Sequence, residues 1–597
     1  MKSESRTIWP LIMADIVCSL LIGCVDSKYD LSKDINMDMS FGSEGIGIPI
    51  GNTEPIYLTE LIDTTDNVLS IADGLFMVKK SGNVKETSIP IDPVSIHIKA
   101  STIDPIYVDF VLPSPSGIKP KAPILYPTIT TNFESNTTIS VHEEVPLELK
   151  MIQSATVLNG TQPKLHIRID FSPVFINRVP EIEFQNFKVT FPSFLKFAPG
   201  QVENNVMTVN TTIKTANGYN RDLILADFDF SDYDNGKGLC AEMNNSQNYI
   251  NLNKDNEVSY SGTIIAKDVT VGLDLLQNLM IQPSITVDAF SLGEVKGKVD
   301  PKIDAISENV SLELNDDLDF LQNDASLDLT NPQIKLHIAN TVGVPLDLNL
   351  MIYGKNKVGT MISGSMISDI NVKVKAAQTN GQPTYTDILI SRKELSLPGY
   401  ESVVVPNLSN LLDVIPNEVC LTIDSKTDQQ AIHVIDLNTG LKKAVWGKYE
   451  VNVPFEFESL KLNYTETVND LHSDLKDISE NQGDVVLELK ADVCNSIPVD
   501  LALSIAGKDI DGDFLNGISS SECIIAAGAD DKETVTPIDL KITAKKGTLP
   551  VLDQLDLYIS GVVEQNGKTV KLKESQYVVL KNIKLKILGP LTFDVNK

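Results

Sequence analysis

The sequence predicts a mainly β protein, an elongated string of antiparallel β-sandwich modules of Ig-like or Greek-key-like type with a few short helices. Three observations predict it. Short runs of Val, Ile, Leu and Thr alternate with polar residues, as in Lys164-Leu-His-Ile-Arg-Ile-Asp170, Ile334-Lys-Leu-His-Ile338, Pro345-Leu-Asp-Leu-Asn-Leu350 and Ile583-Lys-Leu-Lys-Ile587. Residues two apart share one face of a strand, so each run wets one face and buries the other. Asn, Gly, Pro and Asp, which favour turns, separate the runs at a spacing suited to antiparallel sandwiches. Helical periodicity is confined to Leu58 to Ile62, Leu275 to Met280, Leu408 to Ile415 and Thr467 to Ile478. These read as caps or connections between sheets, and no βαβ alternation is present.

The amino terminus has a different grammar. Lys2 and Arg6 precede an apolar run from Ile8 to Gly23 that ends in Leu21-Ile22-Gly23-Cys24. Charge, apolar core, small residue and cleavage point follow in the order of a secretory signal. The run is shorter than the ~20 residues a membrane-spanning helix requires. Asp15 lies within it, at a cost of roughly 2.5–3.5 kcal/mol on insertion scales. The cysteine directly after Leu-Ile-Gly resembles the lipobox of bacterial lipoproteins. That resemblance implies removal of residues 1–23 and a lipid on Cys24, with no transmembrane helix needed.

The remaining chain is too long for one core, given the usual ~100–200 residues per domain. The expected division is 24–145, 146–300, 301–446 and 447–597, with the first nearest the membrane and the last two projecting outward. Those last two are suggested by a repeat. Pro345-Leu-Asp-Leu-Asn-Leu-Met-Ile-Tyr-Gly-Lys355 aligns with Pro498-Val-Asp-Leu-Ala-Leu-Ser-Ile-Ala-Gly-Lys508, and Asn340 and Asn495 precede the two prolines. The pattern reads as strand, Asn- and Pro-containing turn, and returning strand. Pro406 to Pro416 and Leu549 to Leu555 are a second corresponding pair, and Val145 to Ile152 is a fainter echo.

Two family resemblances follow. The strand-Asn-turn-Pro-strand pattern is similar to the sandwich repeat of the late-embryogenesis-abundant, water-stress type domain, over the turn and its flanks alone. More of the chain resembles uncharacterised Bacteroidales envelope lipoproteins: the lipobox, Tyr29 to Ile35, Ile46-Gly-Ile-Pro-Ile-Gly51, Phe187 to Leu195 and Leu327 to Ile334. This second resemblance implies a multidomain β protein of the cell envelope, most simply of the outer membrane, and brings no activity with it. Asp26 and Asp30 flank Lys28 after the lipid cysteine, so the leaflet stays open. Asp63-Thr64-Thr65 resembles a Bacteroidales O-glycosylation acceptor at Thr64.

Charge and motifs then exclude much. With 80 acidic against 50 basic residues the formal charge is −30, which repels phosphate backbones and anionic headgroups. Nucleic acid is excluded as a partner, and membrane attachment falls to the lipid. The six histidines, His97, His142, His166, His337, His433 and His472, lack metal-binding spacing, and no phosphate loop or nucleophile elbow is present. No cofactor is implied. Asp227, Asp229, Asp232 and Asp234 form one candidate calcium stretch, and Asp509, Asp511 and Asp513 a second, although both also fit hairpin turns. Cys240, Cys420, Cys494 and Cys523 lie beyond the leader, and Cys494 with Cys523 is a candidate disulfide in an oxidising compartment, buried free thiols being the alternative. Trp446 and Tyr449 form the candidate platform for a glycan, in a chain with only 6% aromatic residues. Their alternative is packing between modules.

The expected function is accordingly that of a lipid-anchored, noncatalytic envelope protein with a display, structural or protein-interaction role. A surface receptor for glycan or a small ligand is the alternative, and a hydrolase with dispersed carboxylates the third. The partner would be the membrane through the lipid, together with another envelope protein or a surface glycan.

Overall fold

The computed structural model describes residues 46–589, apart from 63–68, 90, 101–102, 109–123, 272–278, 302, 313–325, 476–482, 530–531 and 564–567. The protein is mainly β, built from antiparallel sheets with short helices at their ends. The alternation seen in the sequence is the alternation of burial. Leu165, Ile167 and Ile169 are at most 2% exposed, while His166, Arg168 and Asp170 point away from them along the same strand. Burying each such side chain stabilises the fold by roughly 1.5–3 kcal/mol, and this one-sided burial fixes the register.

Three modules result. The first is a 16-stranded system whose longest ladder pairs Ile124–Val145 with Glu257–Val271. The second packs a six-stranded sheet centred on Gln333–Asn340 and Ala444–Pro454 against a four-stranded sheet centred on Leu346–Lys355 and Glu418–Lys426. In the third, Val485–Asn495, Thr534–Ala544 and Tyr577–Leu588 form one layer, and Asp500–Asp509, Leu552–Val563 and Glu456–Val468 the other. Phe514–Ser520 joins the two layers by pairing with a strand of each.

The second and third modules repeat the same wiring. Gln333–Asn340 lies between Thr384–Ser391 and Ala444–Pro454, as Val485–Asn495 lies between Thr534–Ala544 and Tyr577–Leu588. Leu346–Lys355 then pairs with Glu418–Lys426 as Asp500–Asp509 pairs with Leu552–Val563. Short 3₁₀ turns at Leu408–Leu412 and Leu549–Val551 precede those partner strands. The expected boundary at 446 needs correction, because it cuts the strand Ala444–Pro454, which belongs wholly to the second module. Hydrogen bonding across a sheet, not sequence spacing, sets the edge of a module.

The larger correction concerns residues 24–145, expected as a domain of their own. Their described part is a strap that completes all three modules in turn. Ile46–Gly51 is the edge strand of the third module, pairing with Tyr577–Leu588. Leu75–Ser88 then pairs with Ala444–Pro454 in the second. Ser95–Ile96, Lys99–Ala100, Ile106–Tyr107 and Ile124–Val145 belong to the first. The boundary at 145 therefore falls inside one module.

Of the expected helices, Leu58–Leu61 is helical and Leu408–Leu412 is a 3₁₀ turn. Thr467 and Val468 end a strand, and helix is confined to His472–Leu475 before the described residues stop. The stretch from Leu275 lies mostly outside the described residues, and Met280 begins a strand. Among the described residues no helix is long and apolar enough to cross a membrane.

Candidate functional site

The most completely built polar site is the repeated asparagine. Asn340 and Asn495 are both fully buried at the ends of their strands. The Asn340 amide donates to the carbonyls of Val344 (2.9 Å) and Lys375 (3.0 Å), and its Oδ1 accepts from the Val342 N–H (2.9 Å). Asn495 donates to Val499 (3.2 Å) and Ala526 (3.0 Å) and accepts from Ile497 (2.8 Å). A buried backbone group without a partner costs roughly 1–3 kcal/mol, so one side chain that satisfies three of them pins the turn.

The neighbouring hydroxyls repeat as well. Thr341 Oγ1 donates to the Ala444 carbonyl and accepts from its N–H, as Ser496 Oγ does with Tyr577. Thr386 and Thr536 each accept from the segment that the asparagine holds, through the N–H of Lys375 and of Ala526. The turn was legible as Asn and Pro, whereas these hydroxyls lacked a signal beyond their place beside the asparagine. The fainter echo at Val145 has valine at the corresponding place. There Asn248, from the paired strand, donates to the carbonyls of Leu147 and Leu149 (3.2 Å each) and does the same work from another direction.

The residues expected to bind ligands take up structural tasks. Trp446 has its ring covered by the Lys442 ammonium at 4.1 Å, and Lys442 in turn pairs with Glu86 at 2.7 Å. Trp446 also borders an apolar cavity of ≈ 30 Å³ between the sheets of the second module, lined by Leu336, Leu348 and Ile423. Tyr449 lies across the strap at Gly82, where an added Cβ would fall 2.6 Å from the tyrosine Cζ. This is cross-strand packing in which an aromatic ring covers a glycine, and the two rings do not form an open platform.

Neither acidic stretch gathers its carboxylates. Asp227 and Asp232 are exposed. Asp229 accepts from the Ser231 N–H at 3.1 Å, and Asp234 pairs with Lys254 at 2.9 Å and Lys237 at 3.5 Å. In the second stretch Asp509 Oδ1 accepts from the N–H groups of Asp511 (3.0 Å) and Asp513 (2.9 Å), a hairpin turn closed by Gly512 at φ +85°. Among the described residues no three His, Cys, Asp or Glu side chains are grouped to hold a metal ion.

The candidate disulfide is also corrected. Cys240, Cys420, Cys494 and Cys523 are free, the last three buried. Cys494 faces Val535 and Val579 across its two ladders, while Cys523 faces Leu503 on a different strand. Sharing a module did not bring them opposite one another. Leu21, Ile22, Gly23, Cys24 and Thr64 lie outside the described residues.

Two charged constellations were missed because their members are dispersed. His166 sits between Asp222 (Nδ1 to Oδ1, 2.9 Å) and Asp288 (Nε2 to Oδ1, 3.1 Å), with Arg168 also 3.0 Å from Asp222. Hydrogen bonds to the two carboxylates raise the imidazole pKa, and the same bonds hold both carboxyls below their usual range. With both ring nitrogens engaged, His166 is a charged strut and not a free general base. Its contribution to stability is present below the ordinary histidine pKa of about 6.5 and is lost as pH rises through the raised value. The carboxylates lose theirs only as pH falls through their lowered values. Thermal unfolding should therefore show the first module weakening above neutrality, and His166→Gln should remove that alkaline loss; an unchanged pH profile in the variant would refute the strut.

The second constellation is Asp556, 2% exposed, which accepts from Lys508 (2.7 Å), Thr467 (2.8 Å) and Tyr558 (3.2 Å). Burial pushes its carboxyl pKa up, but Lys508, Thr467 and Tyr558 together bring it below the ordinary value. Both carboxylate oxygens have a donor, so the arrangement suits an internal fastening of the third module.

No known protein family matches the chain, and no curated protein does. Among solved structures, a Parabacteroides distasonis protein inferred to be secreted aligns at 18% identity and a TM-score of 0.32, over 49% of this chain and 82% of that one. Particles derived from infectious bursal virus align at 10% identity and a TM-score of 0.13, over 86% of each chain. The tandem CBM22 domains of Xyn10C from Paenibacillus barcinonensis align at 10% and 0.12, over 52% of this chain and 88% of that one. Scores this low carry no argument about function.

Proposed function

We propose that this chain is a lipid-anchored, noncatalytic protein of a bacterial cell envelope, which holds a β module away from the membrane for contact with another envelope protein. The observation that carries the reading is Leu21-Ile22-Gly23-Cys24 at the end of a charged and then apolar leader. The fold supports it in two ways. The described strands of one strap pair with all three modules, which suits a spacer, and the polar clusters described above serve the sheets themselves. The contacts of Trp446 with Lys442 and of Tyr449 with Gly82 favour this reading over a glycan receptor. The acidic surface leaves the lipid as the means of membrane attachment.

Expression with Cys24→Ala, or treatment with globomycin, tests the anchor. The expected result is loss of at least nine-tenths of the membrane-fraction protein in the variant, and accumulation of the unprocessed form with the inhibitor. Unchanged processing and retention would overturn the reading.

A further inference from the structure

The ladder registers place both described ends of the chain at one end of the module series. In the third module Ile46 pairs with Ile587, Leu588 with Val486, and Val485 with Ala544, so these residues share one edge of the sheet. Asn495, Thr534 and Val578 lie at the opposite edge. That opposite edge meets the second module. The Phe76 N–H donates to the Leu572 carbonyl, Leu572 donates to Phe455, and Phe455 donates to Phe76. Arg392 adds hydrogen bonds of 2.7 Å to both Asp328 and the Leu329 carbonyl across the same seam.

The second module is oriented the same way. Met77 and Pro454 lie toward the third module, whereas Ser88 pairs with Ala444 at the far edge, beside buried Asn340. That far edge meets the first module, where His433–Asp436 pairs with the strand Phe290–Val299 and the Leu437 N–H donates to the Gly293 carbonyl at 2.8 Å. Beyond this seam the strand Ile124–Val145 runs outward. Ile139 is still paired with the strap at Ala100, and Leu125 lies roughly 45 Å further along the strand at ~3.3 Å per residue. The strap thus climbs from the third module through the second to the first.

We infer that, given the lipid on Cys24 proposed above, the third module is the one against the membrane and the first is the one displayed. This reverses the order expected from sequence, in which the repeated modules project outward. Cys24 precedes Ile46 by 22 positions, and Ile46 enters the fold at the edge of the third module opposite its seam with the second, which no other module covers among the described residues. The hairpin Asp509–Phe514, with Ile510 67% exposed, lies at that same edge, because Asp509 pairs with Leu552 just beyond the Leu549–Val551 turn. The end presented outward is therefore that of the first module, at Leu125 on its longest ladder.

The test uses the full lipidated chain purified from membranes and inserted into phosphatidylethanolamine and phosphatidylglycerol vesicles carrying a headgroup-linked acceptor dye. In a Cys240→Ser background, a donor is attached at Ile510→Cys or at Leu125→Cys, two exposed positions. The expected result is transfer to the acceptor several-fold more efficient from position 510 than from 125. Equal efficiencies, or a higher value at 125, would overturn the order. Failure of the unlabelled chain to float with vesicles would instead overturn the anchor, so the two failures are distinguishable. A Cys24→Ala chain, expected not to float, provides the reference.

Discussion

Replacing Asn340 by alanine is expected to lower the stability of the second module by about 3–5 kcal/mol, among the largest effects a single substitution can have. The change leaves the Val342 N–H and the carbonyls of Val344 and Lys375 buried without their partner, and no water-sized route reaches a residue that is 0% exposed. Trp446 pairs with Ala339, the residue before Asn340, and is the natural fluorescent reporter. Urea unfolding followed at this tryptophan should show a large fall in midpoint for Asn340→Ala. Asn349→Ala, which removes only a surface contact with Asn371, should stay within about 0.5 kcal/mol of the parent. Equal midpoints for the two variants would show that the buried amide is not what fixes the turn.

Phe76→Ala is expected to cost about 3–5 kcal/mol by the same unfolding measurement, through lost burial and the cavity left behind. Phe76 is fully buried, and its backbone links Leu572 and Phe455 at the seam between the second and third modules. The effect should therefore exceed a local loss. Limited proteolysis of the variant should release the third module from the second, whereas the parent chain is cut at its exposed loops. If Phe76→Ala unfolds as the parent does and yields the same fragments, the strap does not hold the seam.

How far the sequence reveals this architecture depends on the distance over which each interaction acts. The alternation in Lys164–Phe171 is local, because burial on one face needs only every second residue to be apolar, and it reads directly as strand. The repeat around Asn340 and Asn495 is equally local: a buried amide, a turn and a returning strand within one short segment. Ile46–Gly51 is different. It reads as a strand-like motif, yet its partner Tyr577–Leu588 lies at the other end of the chain, and edge strands choose partners by geometry that periodicity does not encode. The same reason placed a false boundary at 145 and another within Ala444–Pro454.

The candidate site residues divide along the same line. The Asp511-Gly512 turn is a property of neighbouring residues and is legible in them. The cover of Trp446 by Lys442 is also close in sequence, but it depends on both side chains emerging on one side of the sheet. His166 with Asp222 and Asp288, and Gly82 under Tyr449, are assembled entirely by cross-strand register. No composition or spacing announces them.

The central claim is that Cys24 becomes the lipid-bearing first residue of the mature chain, and the most direct measurement is mass spectrometry of the N-terminal peptide from the membrane-bound protein. The expected peptide begins at Cys24, carries a diacylglyceryl thioether on Sγ and an acylated amine, and contains nothing from residues 1–23. A peptide retaining Leu21-Ile22-Gly23, or one beginning at Cys24 with an unmodified thiol, would contradict it.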